Sequence, residues 1–301
     1  MAKSDITAAP ISGAVGTLSI EACYRLESTE IALDGTTWET FIPSAHVGSP
    51  WGPGIQHGGP VAGLLARSLE HCRPRDAARI SRLTVEILGP VPMSRMSIRS
   101  WVERPGNRIE LLAAEVCAAM PDGSMRAVAR GRAWRLATQS TADAAHHADS
   151  TLDHIETPDL PGGELTPIPD SWKTGFANTV EWRITSPLGL RNTPTTAWVR
   201  LNQALVEGET TSDLAATTAL ADLANGLGAR LDPHEWTFLN TELTIHLFAP
   251  PRSSWIGLSC ETSIGQDGIA MSAAVLHTPD GPVGRVTQNI LVEKRPERVQ
   301  A

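Results

Sequence analysis

The segments RLTVEILGPVP (residues 82–92) and ELTIHLFAPP (residues 242–251) repeat one pattern of apolar and polar residues. Their Leu-Thr pairs lie 160 residues apart. The tripeptide Pro-Asp-Gly occurs at residues 121–123 and again at residues 279–281, at an offset of 158, with an apolar run on either side. Such a tripeptide is typical of a tight turn that closes a β-hairpin. Two matches in the same order at nearly one offset indicate an internal duplication.

A helix is predicted before each repeated segment. Residues 57–72 (HGGPVAGLLARSLEHC) open with glycines and a proline and continue with apolar residues at helical spacing. Residues 212–231 begin with Ser and Asp and carry a leucine stripe at the same spacing. Lead-in strands precede each helix and four long strands follow it. The four strands are predicted at residues 80–92, 95–104, 108–120 and 124–137 in the first half, and at 237–249, 254–264, 269–278 and 283–294 in the second.

One helix covered by an antiparallel sheet, twice over, indicates an α+β fold. We expect an N-terminal domain at residues 18–137 and a C-terminal domain at residues 169–296. Residues 138–168 are polar, rich in Ala, Thr, Asp and Pro, and without period, which is typical of a linker. His146 and His147 lie in this segment, where a solvated linker is a better interpretation than a metal site.

Composition excludes several classes of protein. The 301 residues are 41% hydrophobic and 19% charged, as in a globular protein with a real core. The net charge of −8 does not favour a nucleic-acid binder. The N-terminus lacks a secretory pattern, and no stretch approaches the ~18 apolar residues of a membrane span. We expect a cytoplasmic protein that needs no membrane partner.

The four cysteines are scattered and form no CxxC pair, so a zinc site or redox pair is not expected. They are Cys23, Cys72, Cys117 and Cys260. We interpret them as free thiols in a reducing compartment.

The residues narrow the fold further. GIQHGGPVAGLLARSLE (residues 54–70) resembles the glycine-rich helix opening of the TesB-like (type II) acyl-CoA thioesterases. So do ADLANGL (221–227), FLNTELTIHLFAPP (238–251) and PDGPVGRVTQNILVEKR (279–295). The resemblance covers most of the chain, roughly residues 20–137 and 170–295. It implies a tandem (double) hot-dog fold, each half a long helix wrapped by an antiparallel sheet. It also implies hydrolysis of acyl-CoA thioesters to free fatty acid and CoA.

In that family an Asp on the second-half helix, a Thr on the following strand and a Gln on the last strand hold the attacking water. The resemblance places these roles on Asp222, Asn240 and Gln288. Asn240 departs from the family's Thr, although an amide can also hold water. Thr241, the next residue, should face the other side of the strand and is a weaker candidate for contacting substrate.

Thioester hydrolysis also needs donors for the oxyanion that forms on the carbonyl. Backbone N–H groups at a helix start lack intrahelical partners and carry the positive end of the dipole. Gly58 and Gly59 at the first helix start are candidates, as is the turn at residues 211–213 before the second. His57 adjoins the first start and is a candidate pocket residue, with a structural role as the alternative.

The duplication supplies a test within the chain. At offsets of 158–160 the first-half partners of the three candidates fall near Leu64, Ile80 and Arg130. The polar set is therefore confined to the second half, which indicates one chemical site per chain. Taken singly, Asp222 could be a solvated helix residue and Gln288 an ordinary inward polar residue.

Other functions were compared with this prediction. Hot-dog hydratases carry an Asp, a His five residues on and an Asn two further, a spacing that the chain lacks. The GxSxG nucleophile elbow of serine hydrolases is also missing. A non-catalytic protein that binds acyl-CoA or an acyl chain on the same fold stays open, because Asn240 departs from the family. No metal or other cofactor is expected beyond the coenzyme A of the substrate, and homo-oligomers are expected by family analogy.

Overall fold

The structure is a computed structural model that describes residues 21–33, 35–152, 166–190 and 193–295. Within these ranges thirteen strands form one antiparallel sheet in the order β1-β2-β4-β5-β6-β3-β10-β13-β12-β11-β8-β7, with β9 paired to β13. The strands are β1 (Tyr24–Ile31), β2 (Thr37–Pro43), β3 (Ala78–Ile87), β4 (Met96–Arg104), β5 (Ile109–Ala119), β6 (Met125–Ala137), β7 (Val180–Ile184), β8 (Thr195–Leu201), β9 (Trp236–Asn240), β10 (Glu242–Leu247), β11 (Ile256–Ile264), β12 (Ile269–Thr278) and β13 (Gly281–Lys294). The helices are α1 (Gly58–His71), α2 (Asp213–Ala221) and α3 (Ala224–Gly228), with 3₁₀ turns at Ala45–Val47, Ala142–Ala144, Asp170–Trp172 and Gly175–Thr179.

The eight long strands and the first helix predicted from sequence are confirmed to within a few residues, apart from the C-terminal end of β3. Two lead-in strands precede each helix, as expected. The predicted strand 237–249 is divided into β9 and β10 at Thr241. The pairing register of β13 shifts by one residue between β9 and β10, which is the effect of a bulge.

The duplicated segments pair with each other at the centre of the sheet. Thr84 of β3 lies opposite Thr244 of β10, and their hydroxyl oxygens are 3.0 Å apart. Equivalent residues therefore face each other across an antiparallel pair, which relates the two halves by a local twofold axis. Thr84 pairs with Arg132 on β6, and Thr244 pairs with Thr287 on β13.

This register corrects the equivalences expected from sequence. Arg132 and Thr287 are 155 residues apart rather than 158, so Gln288 corresponds to Ala133 and not to Arg130. The turn at residues 120–124 is longer than the turn at 279–280, which contributes to the error. The helix starts are also 155 residues apart, so Asp222 corresponds to Arg67 and not to Leu64.

The two main helices pack closely because their contact is lined by small residues. A Cβ on Gly59 would lie 2.6 Å from the carbonyl oxygen of Ala219 on α2, and a Cβ on Gly63 would lie 3.1 Å from that of Ala215. Only glycine permits this approach. The helices run in opposite directions, so the start of α1 lies beside the end of α2. The sheet and both helices bury one large apolar core.

The second predicted helix is interrupted at residues 222–223. The Asp222 carbonyl accepts a hydrogen bond from Gln288 Nε2 at 3.3 Å and so is engaged outside the helix. The Leu223 N–H donates to Leu220 O, three residues back, which tightens the chain at this point. The interruption turns Asp222 toward the start of α1.

Arg67 is buried on α1 between two acidic side chains. Its guanidinium donates to Glu209, with Nε–Oε2 at 2.6 Å, and to Glu39, with NH1–Oε2 at 2.8 Å. Burial lowers the pKa of Arg67, but the hydrogen bonds to Glu209 and Glu39 outweigh this effect and raise it overall. The network joins α1 to β2 and to the segment before α2.

Residues 138–152, in the predicted linker, lie along the second half of the sheet. His277 Nε2 lies 3.0 Å from the carbonyl oxygen of Ser150, and Arg285 pairs with Asp149. His146 and His147 are exposed, with ring nitrogens against nearby backbone oxygens. Residues 153–165 of the predicted linker lie outside the described residues, and the domain boundaries stay a prediction.

All four cysteines are free thiols, and three of them are buried. Burial raises the pKa of the Cys23 thiol to about 12. Among the described residues, no helix combines the length and apolarity needed to cross a membrane.

Candidate active site

Asp222 is a buried carboxylate at the junction of α2 and α3, with 5% of the residue exposed. Its Oδ1 accepts from Asn240 Nδ2 at 2.8 Å and from Gln288 Nε2 at 3.1 Å. Buried carboxylates need such partners, because an unpaired buried charge is costly. The three residues assigned from sequence are therefore brought together in space.

Asn240 and Gln288 reach Asp222 because each lies on the inner face of the sheet. Asn240 ends β9 opposite Ile290 of β13, and Gln288 lies two residues before Ile290 on the same face. Gln288 is fully buried, and its Oε1 has no hydrogen-bond partner among the described residues. A polar group left in this way is available to a ligand or to water.

His57 caps the start of α1 and also contacts Asp222. The Gly59 N–H donates to His57 Nδ1 at 3.0 Å, and the same Nδ1 lies 3.1 Å from Asp222 Oδ2. The ring packs against Phe176, with 5.1 Å between centroids. The predicted pocket residue is thus placed in direct contact with the carboxylate.

A neutral imidazole nitrogen that accepts a hydrogen bond has a single lone pair. While His57 Nδ1 accepts from Gly59, it cannot also donate to Asp222. A proton on Asp222 Oδ2 would convert this acceptor–acceptor contact into a hydrogen bond. The arrangement therefore favours a carboxylate that takes up a proton at Oδ2.

Gly58 lies against the free side of the carboxylate. A Cβ at Gly58 would be 2.9 Å from Asp222 Oδ2, so a side chain there would collide with the carboxylate. The Gly58 N–H has no acceptor among the described residues, whereas the Gly59 N–H is used by His57. Pro60, next in the helix, has no N–H. Gly58 is thus the free backbone donor at the start of α1.

The turn before α2, the other predicted source of oxyanion donors, lies at the opposite end of the helix pair. Ser212 Oγ accepts from Ala215 N–H at 3.1 Å and donates to Glu70. Burial raises the pKa of Glu70, the hydrogen bond from Ser212 lowers it, and nearby Asp213 raises it, with a net increase. This helix start is capped by side chains and is not brought to Asp222.

Thr241 is also placed elsewhere. Its side chain is exposed on the outer face of the sheet, where Asn289 Nδ2 donates to its Oγ1 at 3.1 Å. The orientation agrees with the alternation expected along the strand, and we leave Thr241 out of the candidate site.

A cavity beside the site was missed by the sequence analysis. It is lined by Asn225, Ala229, Leu231, Phe238, Thr262, Ile264, Ala270, Ile290 and Val292. A small apolar cluster separate from the main core surrounds it, and Trp51 packs edge-on against Phe238 at 4.6 Å. The closeness of Asn225 to Asp222 in ADLANGL was the available signal.

No three His, Cys, Asp or Glu side chains cluster suitably for a metal ion in the part of the chain that the structure describes.

Two family models match the sequence. The acyl-CoA thioesterase N-terminal domain matches residues 47–136, and the acyl-CoA thioesterase C-terminal domain matches residues 156–292. Together they cover about three quarters of the chain. No curated protein matches it.

Solved structures agree on the fold. A conserved protein of unknown function with a hot-dog fold from Alicyclobacillus acidocaldarius matches with a TM-score of 0.64 and 14% identity, over 89% of this chain and 96% of that one. Acyl-CoA thioesterase II TesB2 from Mycobacterium marinum gives 0.60 and 14%, over 91% and 97%. A tesB protein from Mycobacterium avium subspecies paratuberculosis gives 0.61 and 10%, over 90% and 96%. At these identities the likeness shows a hot-dog fold.

The two domain models settle the enzyme class that the site geometry alone leaves open: the chain belongs to the acyl-CoA thioesterase family and is a thioester hydrolase.

Proposed function

We propose that the chain hydrolyses acyl-CoA thioesters with a water held by Asp222, Asn240 and Gln288. One observation carries the proposal: a buried carboxylate receives two amide donors on Oδ1 and keeps Oδ2 beside the start of α1. A carboxylate held in this way can orient a water and accept its proton.

The proposed reaction proceeds in two stages. The water oxygen attacks the thioester carbonyl carbon while its proton passes to Asp222 Oδ2. The C–S bond then breaks, and the proton returns from Asp222 to the CoA sulfur, so that a carboxylic acid and CoA thiol are released. The His57 Nδ1 stabilises the protonated carboxyl between the stages.

The free N–H of Gly58 is the proposed donor to the oxyanion. It lies at the positive end of α1, where a backbone donor and the helix dipole both favour developing negative charge. A Cβ at this position would occupy the space beside Oδ2, which explains why a glycine fits there.

The His57→Ser variant tests the proton-stabilising role of His57. Serine is also a good N-cap, so α1 should stay capped while the contact with Asp222 is lost. We expect kcat to fall by about tenfold, toward the lower end of general acid–base effects, with an unchanged melting temperature. In His57→Ala the cap is lost as well, which should cost about 1 kcal/mol of stability. A kcat that falls only in proportion to the loss of stability would assign His57 to capping alone.

Asn240 can be tested by restoring the family's residue. Asn240→Thr places a hydroxyl donor on the same strand face, so we expect kcat/KM within about tenfold of wild type. Asn240→Leu removes the donor to Asp222 Oδ1 and should lower kcat by about tenfold or more, since a buried acceptor then loses a partner. Equal activity in all three proteins would remove Asn240 from the site.

The function itself is tested by thiol release from a panel of acyl-CoAs of different chain length and polarity. Turnover that saturates with acyl-CoA and is lost in Asp222→Asn supports the proposal. Calorimetric binding of acyl-CoA with no turnover would favour a protein that binds the acyl chain without hydrolysing it. Turnover of simple esters but not of thioesters would contradict the substrate class.

Further parts of the proposal rest on the family and the fold. We propose that the halves form a tandem pair of hot-dog units at residues 18–137 and 169–296, with one catalytic site per chain. We also propose a cytoplasmic homo-oligomer that uses no cofactor beyond the coenzyme A of its substrate. Light scattering of the purified protein would measure the oligomeric state.

A further inference from the structure

The cavity beside Asp222 contains two polar atoms that the protein leaves unsatisfied. Asn225 is 5% exposed, and its Oδ1 has no hydrogen-bond partner among the described residues. The Thr262 Oγ1 on β11 is likewise buried and without a partner there. Both residues line the cavity, whose other walls are apolar. Leaving buried polar groups unpaired costs stability unless a ligand or water completes them.

The orientation of the Asn225 amide is fixed by the backbone. Its Nδ2 donates to the Phe238 carbonyl at 3.0 Å, so a flipped amide would place two oxygens against each other. The atom left over is therefore an acceptor. Thr262 supplies a hydroxyl that can donate. The cavity thus offers one acceptor and one donor on otherwise apolar walls.

Gly228 leaves the Thr262 hydroxyl uncovered. A Cβ at Gly228 would lie 2.6 Å from Thr262 Oγ1 and 3.4 Å from Ser272 Oγ. Any other residue on this turn of α3 would therefore press on the hydroxyl.

The cavity adjoins the catalytic carboxylate. Asp222 and Leu223 keep near-helical backbone angles, so Asn225 follows Asp222 at helical spacing, with about 5–6 Å between the Cβ atoms. Ile290, another wall residue, pairs with Asn240 across β9 and β13. A group bound here is therefore within a few carbons of a thioester held at Asp222.

The volume and polarity of the cavity limit its occupant. It encloses about 180 Å³. At ~30 Å³ for a water-sized group, this volume holds about six non-hydrogen atoms. No charged residue is among the wall residues, so a carboxylate-tipped chain would be buried without a counter-charge. A keto oxygen could accept from Thr262 but would leave Asn225 Oδ1 unpaired. A hydroxyl can accept from Thr262 and donate to Asn225.

We propose that this cavity binds the acyl group and selects short acyl chains that carry a hydroxyl close to the thioester. The inference rests on the proposed thioesterase function and names its substrate class. Asn225 and Thr262 act as specificity-determining residues, while Asp222, Asn240 and Gln288 act on the water.

The test compares butanoyl-CoA with its 2-, 3- and 4-hydroxy derivatives on the wild-type protein. We expect at least one hydroxylated ester to give a kcat/KM about tenfold or more above that of butanoyl-CoA, since one hydroxyl completes two buried groups. Thr262→Val keeps the shape of the side chain and removes its hydroxyl, and should bring that ratio close to one. Thr262→Ser keeps the hydroxyl and should keep the preference. Gly228→Ala should lower the ratio by crowding the hydroxyl.

Thr217→Val is the matched control. Thr217 is fully buried on α2 and its Oγ1 also has no partner among the described residues, but it does not line the cavity. Its substitution should leave the ratio unchanged. Hydroxylated and plain esters turned over equally by wild type, or a preference that survives in Thr262→Val, would overturn this inference and leave the thioesterase intact. Inactivity toward every acyl-CoA would overturn both.

Discussion

Replacing Asp222 by Asn is expected to lower kcat for acyl-CoA hydrolysis by about a hundredfold or more, the usual magnitude of general-base catalysis. The substitution keeps the size of the side chain but removes its ability to accept a proton. It also places an amide against the donors of Asn240 and Gln288, so one of the two present hydrogen bonds to Oδ1 can be lost. Steady-state thiol release at saturating substrate measures the effect, and KM should change much less than kcat.

Asp213→Asn is a suitable control, since it changes a carboxylate on the same helix at an exposed position. Its activity should match that of wild type. Circular dichroism should show both variants folded. An Asp222→Asn variant that retains full activity would place the base at another residue.

Replacing Arg67 by Met is expected to lower the free energy of unfolding by about 3 kcal/mol, the lower end of the range for a broken buried ion pair. The lower end applies because the side chains of Glu39 and Glu209 are 20% and 32% exposed, so water can solvate part of the charge left behind. Methionine keeps the volume, which separates the loss of charge from the loss of packing. Denaturant unfolding at neutral pH measures the difference.

The same network predicts a dependence on pH. The Arg67 guanidinium lowers the pKa of Glu209 below its ordinary value of 4.5, although burial acts in the opposite direction. A lowered folded-state pKa contributes stability above the unfolded pKa, and this contribution is lost as pH falls through the folded value. The gap in stability between wild type and Arg67→Met should therefore be full above about pH 5 and narrow as the pH falls further. A gap that is constant with pH would show that packing, and not charge, is responsible.

Arg130→Met serves as the comparison. Arg130 pairs with Glu115 on the outer face of the sheet and is 57% exposed, so its loss should cost no more than about 1 kcal/mol. Restoring neutrality around residue 67, with Glu39→Gln and Glu209→Gln added to Arg67→Met, should recover much of the stability.

The fold was largely predictable because its signals are local and repeated. Hairpins closed by Pro-Asp-Gly and the alternation along eight strands depend on neighbours in sequence, and their positions were confirmed. The duplicated Leu-Thr segments were also a guide to the centre of the sheet, where β3 pairs with β10. The break in the second helix was not predicted, because it accompanies a hydrogen bond to Gln288, sixty-six residues away.

The site was predictable in its residues but not in its contacts. The resemblance named Asp222, Asn240 and Gln288, and the structure brings them together. Nothing in the pattern places His57 Nδ1 on Asp222, because that contact depends on how α1 packs against α2. The offsets that paired Asp222 with Leu64 and Gln288 with Arg130 ignored turn lengths, which the sheet register corrects to Arg67 and Ala133.

The sequence by itself determined the duplication, the kind of each main element and the family, since these follow from the order and periodicity of residues along the chain. The tertiary structure alone decided which helix start serves the carboxylate, which side of the strand Thr241 faces relative to the site, and which buried polar atoms stay unpaired. Those outcomes depend on distances between residues far apart in the chain. Close packing of α1 on α2 at Gly59 and Gly63 sets these distances, and no local pattern specifies them.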